Sequence, residues 1–135
     1  MKPYLIPGII LLMTVGLHGN AHAMTEKEAY NNLIFFQAAA NEGEFCENKL
    51  NIQALPALKK WQRENASVLN RSINAIEHHL MNDKGLSKPE VKLAMVEVWK
   101  KMDDIDRRRL ADRRTHKTCM QFAQSLKFYE SRLTQ

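Results

Sequence analysis

From Glu90 to the last residue, Gln135, the chain contains neither glycine nor proline. Within that stretch Val91, Met95, Val98, Met102 and Ile105 recur at spacings of 4, 3, 4 and 3. This pattern lays one apolar stripe along a helix and would give a strand no consistent face. No other segment alternates apolar and polar residues for long enough to specify a strand, so the expected fold class is all-α. At 135 residues, 44% apolar and 26% charged, the chain has the make-up of one ordinary globular domain and not of a disordered tail.

The helix starts are marked. Thr25-Glu26-Lys27-Glu28 and Ser87-Lys88-Pro89-Glu90 both have the form of a capping box. There the hydroxyl and the carboxylate three residues on satisfy each other's backbone donors. The first helix should carry Ala29, Leu33, Phe36 and Ala40 on its apolar face, and Asn41 to Gly43 reads as its stop. Glu44 to Leu50 should add one more turn or two. A second helix should begin near Pro56 and bury Leu58, Trp61, Val68, Leu69, Ile73, Ile76 and Leu80.

The stripe of the third helix continues in phase through Arg109, Asp112 and His116 to Cys119, Ala123, Leu126 and Leu133. Either one helix spans residues 88–133, or it breaks near Arg114-Thr115 with Thr115 as the next N-cap. The break is expected, because it lets the last segment fold back. The resulting architecture is a compact antiparallel bundle of three to four helices stapled by one disulfide.

Ahead of these helices lie Lys2, the apolar run Ile9 to Leu17, and the small residues Ala21 and Ala23. Together they read as a secretory signal peptide over residues 1–23, leaving a single helical domain over residues 24–135. Counted from Tyr4 to Leu17 the run is only 14 residues, is interrupted by Pro7-Gly8, and is shorter than the roughly 20 apolar residues of a spanning helix. The expected location is therefore the bacterial periplasm or the exterior, with no transmembrane segment after cleavage. In an oxidising compartment Cys46 and Cys119 are expected to pair, closing a loop worth about 4–5 kcal/mol in the chain-entropy model. Two free thiols or two metal ligands are the alternatives, but neither cysteine has a Cys or His at zinc-finger spacing.

Charge is uneven along the chain. Residues 99–118 hold eight basic residues against four acidic ones, and residues 24–53 hold two against five. Arg107, Arg108, Arg109, Arg113, Arg114 and Lys117 form a candidate docking patch for another protein with an acidic surface. The plain alternative is a solvated face with ion pairs such as Asp103–Arg107 and Asp104–Arg108. No aromatic residues interleave the cations as base stacking would need, so no nucleic acid partner is expected.

Arg109, Asp112 and His116 fall on the stripe and would form a buried polar cluster if they point inward. Asp112 and His116 are one turn apart, which is part of a hydrolytic arrangement, but no nucleophile motif accompanies them. His79 and Asp83 could hold a metal weakly, yet H-E-x-x-H, C-x-x-C, C-x-x-C-H and Gly-rich phosphate loops are all missing from the sequence. No catalytic set, metal or cofactor is therefore expected. Met81, Met95, Met102 and Met120 read as core filling.

Between the cysteines stands Trp61-Gln62-Arg63-Glu64-Asn65. Trp61 should be a large buried anchor, with Asn65 one turn on bonding its indole N–H or a nearby backbone group. This Cys…W-x-x-x-N…Cys pattern, from Cys46 to Cys119, resembles small secreted helical proteins of bacteria that carry a signal peptide. That resemblance implies no activity. At the level of fold alone, the size and the one-disulfide helical layout are also similar to periplasmic immunity proteins of type VI secretion effectors and to acid-stress periplasmic chaperones.

These readings converge on a non-enzymatic periplasmic protein-binding module, immunity-like or escort-like. A homodimer is compatible with the same features. A stress chaperone is one alternative, because acid would neutralise the carboxylates and leave the Arg charges. A small envelope hydrolase using His116 and Asp112 is another.

Overall fold

The computed structural model describes residues 23–135. The leader expected over residues 1–23, with its cleavage-site Ala21, lies outside the described residues save for Ala23. Six helices follow among the described residues: α1 Glu26–Leu50, α2 Leu55–Glu64, α3 Ala66–Asn82, α4 Lys88–Arg109, α5 His116–Met120 and α6 Phe122–Ser131. A 3-10 turn, Ala111–Arg113, links α4 to α5. The all-α class and the disulfide agree with expectation, but the count of three to four helices is corrected to six.

The structure departs from the expected layout at three places, and the two unforeseen breaks, at Asn65 and Gln121, raise the count. First, α1 does not stop at Asn41 to Gly43. A Cβ on Gly43 would lie 3.0 Å from Leu58 Cδ2 and 3.3 Å from Phe122 Cζ. The glycine is therefore a close-packing position that lets α2 and α6 approach α1. The actual stop is Asn51, whose φ of 55° places it in the left-handed region. There the Ile52 N–H caps the Cys46 carbonyl at 2.8 Å.

Second, the expected second helix breaks at Asn65. Its side-chain Nδ2 donates to the Trp61 carbonyl at 3.0 Å and to Glu130 Oε1 at 3.1 Å. A side chain that bonds the carbonyl one turn back competes with the helix ladder and bends it.

Third, the C-terminal segment breaks twice. The break at Thr115 is the expected one. The Thr115 hydroxyl accepts from the Thr118 N–H at 3.2 Å. The second break, at Gln121, has no glycine or proline to announce it. Cys119 is tethered to α1, while Phe122, Leu126 and Tyr129 insert into the core beside it. Gln121 takes up the difference in phase at φ −117° and ψ 40°.

Helix α1 is the axis of the molecule, and each of the other five helices packs against it. Its two halves serve two apolar clusters. Ala29 and Leu33 meet Ile76 and Leu80 of α3 and Val91, Met95 and Met102 of α4. Phe36, Ala39 and Cys46 meet Leu58 and Trp61 of α2 together with Cys119, Phe122, Leu126 and Tyr129. Trp61 is the expected anchor, packed on Phe36 with ring centroids 5.4 Å apart and the ring planes tilted by 52°.

Polar pins tie the clusters to the chain ends. Buried Asn32 bonds Ser72 Oγ at 3.0 Å and clasps the Thr134 backbone through 2.9 Å and 2.8 Å contacts. The capping boxes at Thr25 and Ser87 are both formed. No helix among the described residues is long and apolar enough to cross a membrane.

Candidate functional site

The buried stripe of α4 reaches Met102 and then, one turn on, Asp106, whose side chain is fully buried. An isolated carboxylate there would be prohibitively costly, so the surroundings must supply donors. Two come from outside α4. The guanidinium of Arg114 reaches in from the linker after the 3-10 turn and pairs with Asp106 Oδ1. Asn41 of α1 donates its Nδ2 to Asp106 Oδ2 at 2.6 Å and to Asp103 Oδ1 at 2.7 Å. Gln37 Nε2 fixes the Asn41 amide by donating to its Oδ1 at 3.0 Å. Arg107 Nε closes the array on Asp103 Oδ2 at 2.8 Å. Burial alone would raise the Asp103 carboxyl, but the hydrogen bonds from Arg107 and Asn41 outweigh it and hold its pKa below the usual value.

The array forms the back of a cleft of about 250 Å³ between α1 and the end of α4. Asn41, Phe45, Asn48 and Lys49 line one wall, spaced as one face of α1, with Arg107 and Arg114 opposite. Arg114 is the most enclosed of the cations, its side chain only 8% exposed. Its Nη2 serves Asp106 and, more loosely, the Ala38 carbonyl at 3.4 Å. Its buried Nε has no partner.

A second polar pair is sealed inside the α1–α6 contact. Tyr129 donates its hydroxyl to Glu42 Oε1 at 2.6 Å, with both residues fully buried. Glu42 Oε2 has no partner. Burial, and then the hydrogen bond to Glu42, push the Tyr129 phenol far above its ordinary pKa, so it stays a donor.

The expected docking patch is divided by this geometry. Arg107, Arg108, Arg109 and Lys117 are exposed. Arg107 and Arg108 form the foreseen pairs with Asp103 and with Asp104, the latter at 3.6 Å. Arg114 is turned inward. Arg113 lies with its guanidinium carbon 3.8 Å from the Phe128 ring centroid, and its buried Nε is unpartnered.

The buried cluster of Arg109, Asp112 and His116 does not form: all three are exposed. Helix α4 ends at Arg109, so the stripe loses its phase before Asp112. No hydrogen bond joins Asp112 to His116 among the described residues. Ala123 is likewise exposed, and Phe122 takes the core position beside it. Met95 and Met102 fill core as expected, but Met81 and Met120 are 38% and 63% exposed.

His79 pairs Nδ1 with Asp83 and Nε2 with Glu26, each at 2.7 Å, and so ties α3 to the start of α1. No group of three His, Cys, Asp or Glu side chains is arranged for a metal among the described residues. Asn65 bonds the Trp61 carbonyl, one of the two partners foreseen, and the indole Nε1 is left without one.

Cys46 and Cys119 are bonded across 73 residues, with Cα atoms 5.5 Å apart, and both are buried.

Asp106 was not singled out from sequence, where Asn41 was read only as part of a helix stop and Asp103 only as a surface partner of Arg107. The available signal was an acid one turn beyond Met102, on the apolar face of a helix. Comparison with protein-family models, with curated proteins and with solved structures returns no match.

Proposed function

We propose that this chain is a non-enzymatic protein-binding module of the periplasm or cell exterior, and that its contact surface is the outer face of α4. The observation that carries this reading is the pair Leu93 and Val96, which are 71% and 52% exposed and one turn apart. Helix α4 packs through Val91, Met95 and Met102 on its opposite side, so the bundle itself makes no use of Leu93 or Val96. Burying either side chain under a partner would contribute on the order of 1.5–3 kcal/mol.

Lys92, Lys100, Lys101 and Arg108 are exposed along the same helix. Lys92 and Lys101 have no acidic partner among the described ion pairs. Apolar anchors within a cationic frame favour an acidic amphipathic partner, the charges steering the encounter and the anchors holding it.

The test is affinity capture with residues 24–135 in oxidised form, followed by binding of the purified partner. Leu93→Asp with Val96→Asp should leave the thermal melt unchanged and abolish retention. Charge reversal at Lys92 and Lys101 should slow association and reduce its dependence on salt. Equal binding by the wild type and the Leu93/Val96 variant would refute the assignment of this face.

A further inference from the structure

The cleft behind Asn41 is built differently from a solvated surface. Asp103 and Asp106 lie behind the guanidinium groups and hold them in place. The side chains that line the cleft itself bear three positive charges, on Lys49, Arg107 and Arg114, against the one negative charge of Glu44. The Arg114 side chain is more than nine-tenths buried, its Nε lacks a partner, and Nη1 donates to nothing among the described residues. The Nε is buried away from the cleft, so Nη1 is the guanidinium donor left for an acceptor in this open cleft, which Arg114 lines. Asn48, whose side chain makes no hydrogen bond among the described residues, adds an amide on the α1 wall, and Phe45 adds an apolar one.

The geometry points to a binding site for a small organic carboxylate in this cleft, with Arg114 and Lys49 taking the carboxylate and Phe45 covering the carbon skeleton. A planar oxyanion matches the fork of a guanidinium already aligned by a carboxylate on its far side. At about 250 Å³ the cleft is smaller than the pockets of drug-sized ligands, which begin near 300 Å³, so the ligand is a small acid. The two guanidinium groups are held before any ligand arrives, by Asp106 on Arg114 and by Asp103 on Arg107, so on binding only Lys49 among the cations is left to be ordered. Arg107 is 14 residues beyond Leu93, about 21 Å along the helix, so this site stands or falls separately from the protein-binding face.

The experiment is an NMR titration of the oxidised chain with succinate, with inorganic phosphate and sodium chloride as parallel arms at matched ionic strength. The expected result is saturable movement of the Phe45 and Asn48 signals with succinate, weaker binding of phosphate, and no saturation with chloride. Lys49→Glu and Asn48→Ala alter exposed side chains and should leave the fold intact. Lys49→Glu should weaken succinate binding by about tenfold or more, as the loss of a charged partner requires. Phosphate binding as tightly as succinate would overturn the assignment to carboxylates. Absence of saturation, identical behaviour in chloride, or full affinity in Lys49→Glu would overturn the site.

Discussion

The pair Asp106–Arg114 allows a quantitative test of what holds the end of α4 against α1. Asp106 is fully buried and the Arg114 side chain 8% exposed, so solvent screens their interaction little. Replacing Asp106 by Leu strands a buried guanidinium, and replacing Arg114 by Met strands a buried carboxylate. Each should cost about 3–5 kcal/mol, because one uncompensated charge remains inside. The double variant strands neither. Asn41 keeps Asp103 as the acceptor for one of its two amide N–H groups, at 2.7 Å, so only the neutral N–H that served Asp106 loses its partner.

The double variant should therefore be more stable than either single one, close to the wild type or above it. The four proteins would be compared by urea unfolding, with slopes checked for equality before the midpoints are converted to free energies. The coupling energy should be several kcal/mol and of the sign that makes the double variant less damaged than the sum. Additive losses would show that the two side chains do not share a buried pair, and the account of the cleft's back wall would fail with it.

Other outcomes follow from the same structure. Cys46→Ala with Cys119→Ala opens a 73-residue separation and should cost about 4 kcal/mol on the chain-entropy model; a loss under about 1 kcal/mol in urea unfolding would contradict it. Tyr129→Phe leaves buried Glu42 with no donor at either oxygen and should cost about 1–3 kcal/mol, with recovery when Glu42→Met is added.

Glu47 accepts the Ala54 and Leu55 N–H groups and Glu90 accepts that of Ser87, which depress both carboxyls below their ordinary 4.5. A depressed folded value means that the unfolded chain binds protons first as pH falls. Their contribution is thus complete above 4.5 and is lost as pH drops through the lowered values. Melting temperature should fall between about pH 5 and pH 3, and less steeply in Glu47→Gln with Glu90→Gln. Parallel profiles would refute this.

Much of the fold was legible because it rests on short-range rules. Capping boxes at Thr25 and Ser87 and the cap at Thr115 are satisfied within three residues of themselves, so no tertiary context can easily change them. The apolar stripe of α4 was readable for the same reason. Gly43 was misread because a glycine that ends a helix and one that admits a neighbouring helix look alike until Leu58 and Phe122 are in place. The exposed Arg109, Asp112 and His116 were misread because helical phase extrapolated past Arg109 has no meaning once the helix has ended. The cleft could not be read at all, since its walls come from Asn41 to Lys49 and from Arg107 and Arg114, far apart in the chain.

The chain by itself determined that this protein is helical, where most of its helices begin, and which two sulfurs are available to each other. Those properties depend on backbone donors and apolar periodicity within a few residues. Tertiary structure alone decided that α1 is the central helix, that the last segment breaks at Gln121, and that Arg114 is a buried ion-pair partner instead of a surface cation. Each of these depends on where the free energy of burying a group is recovered, and that is settled only when distant side chains meet.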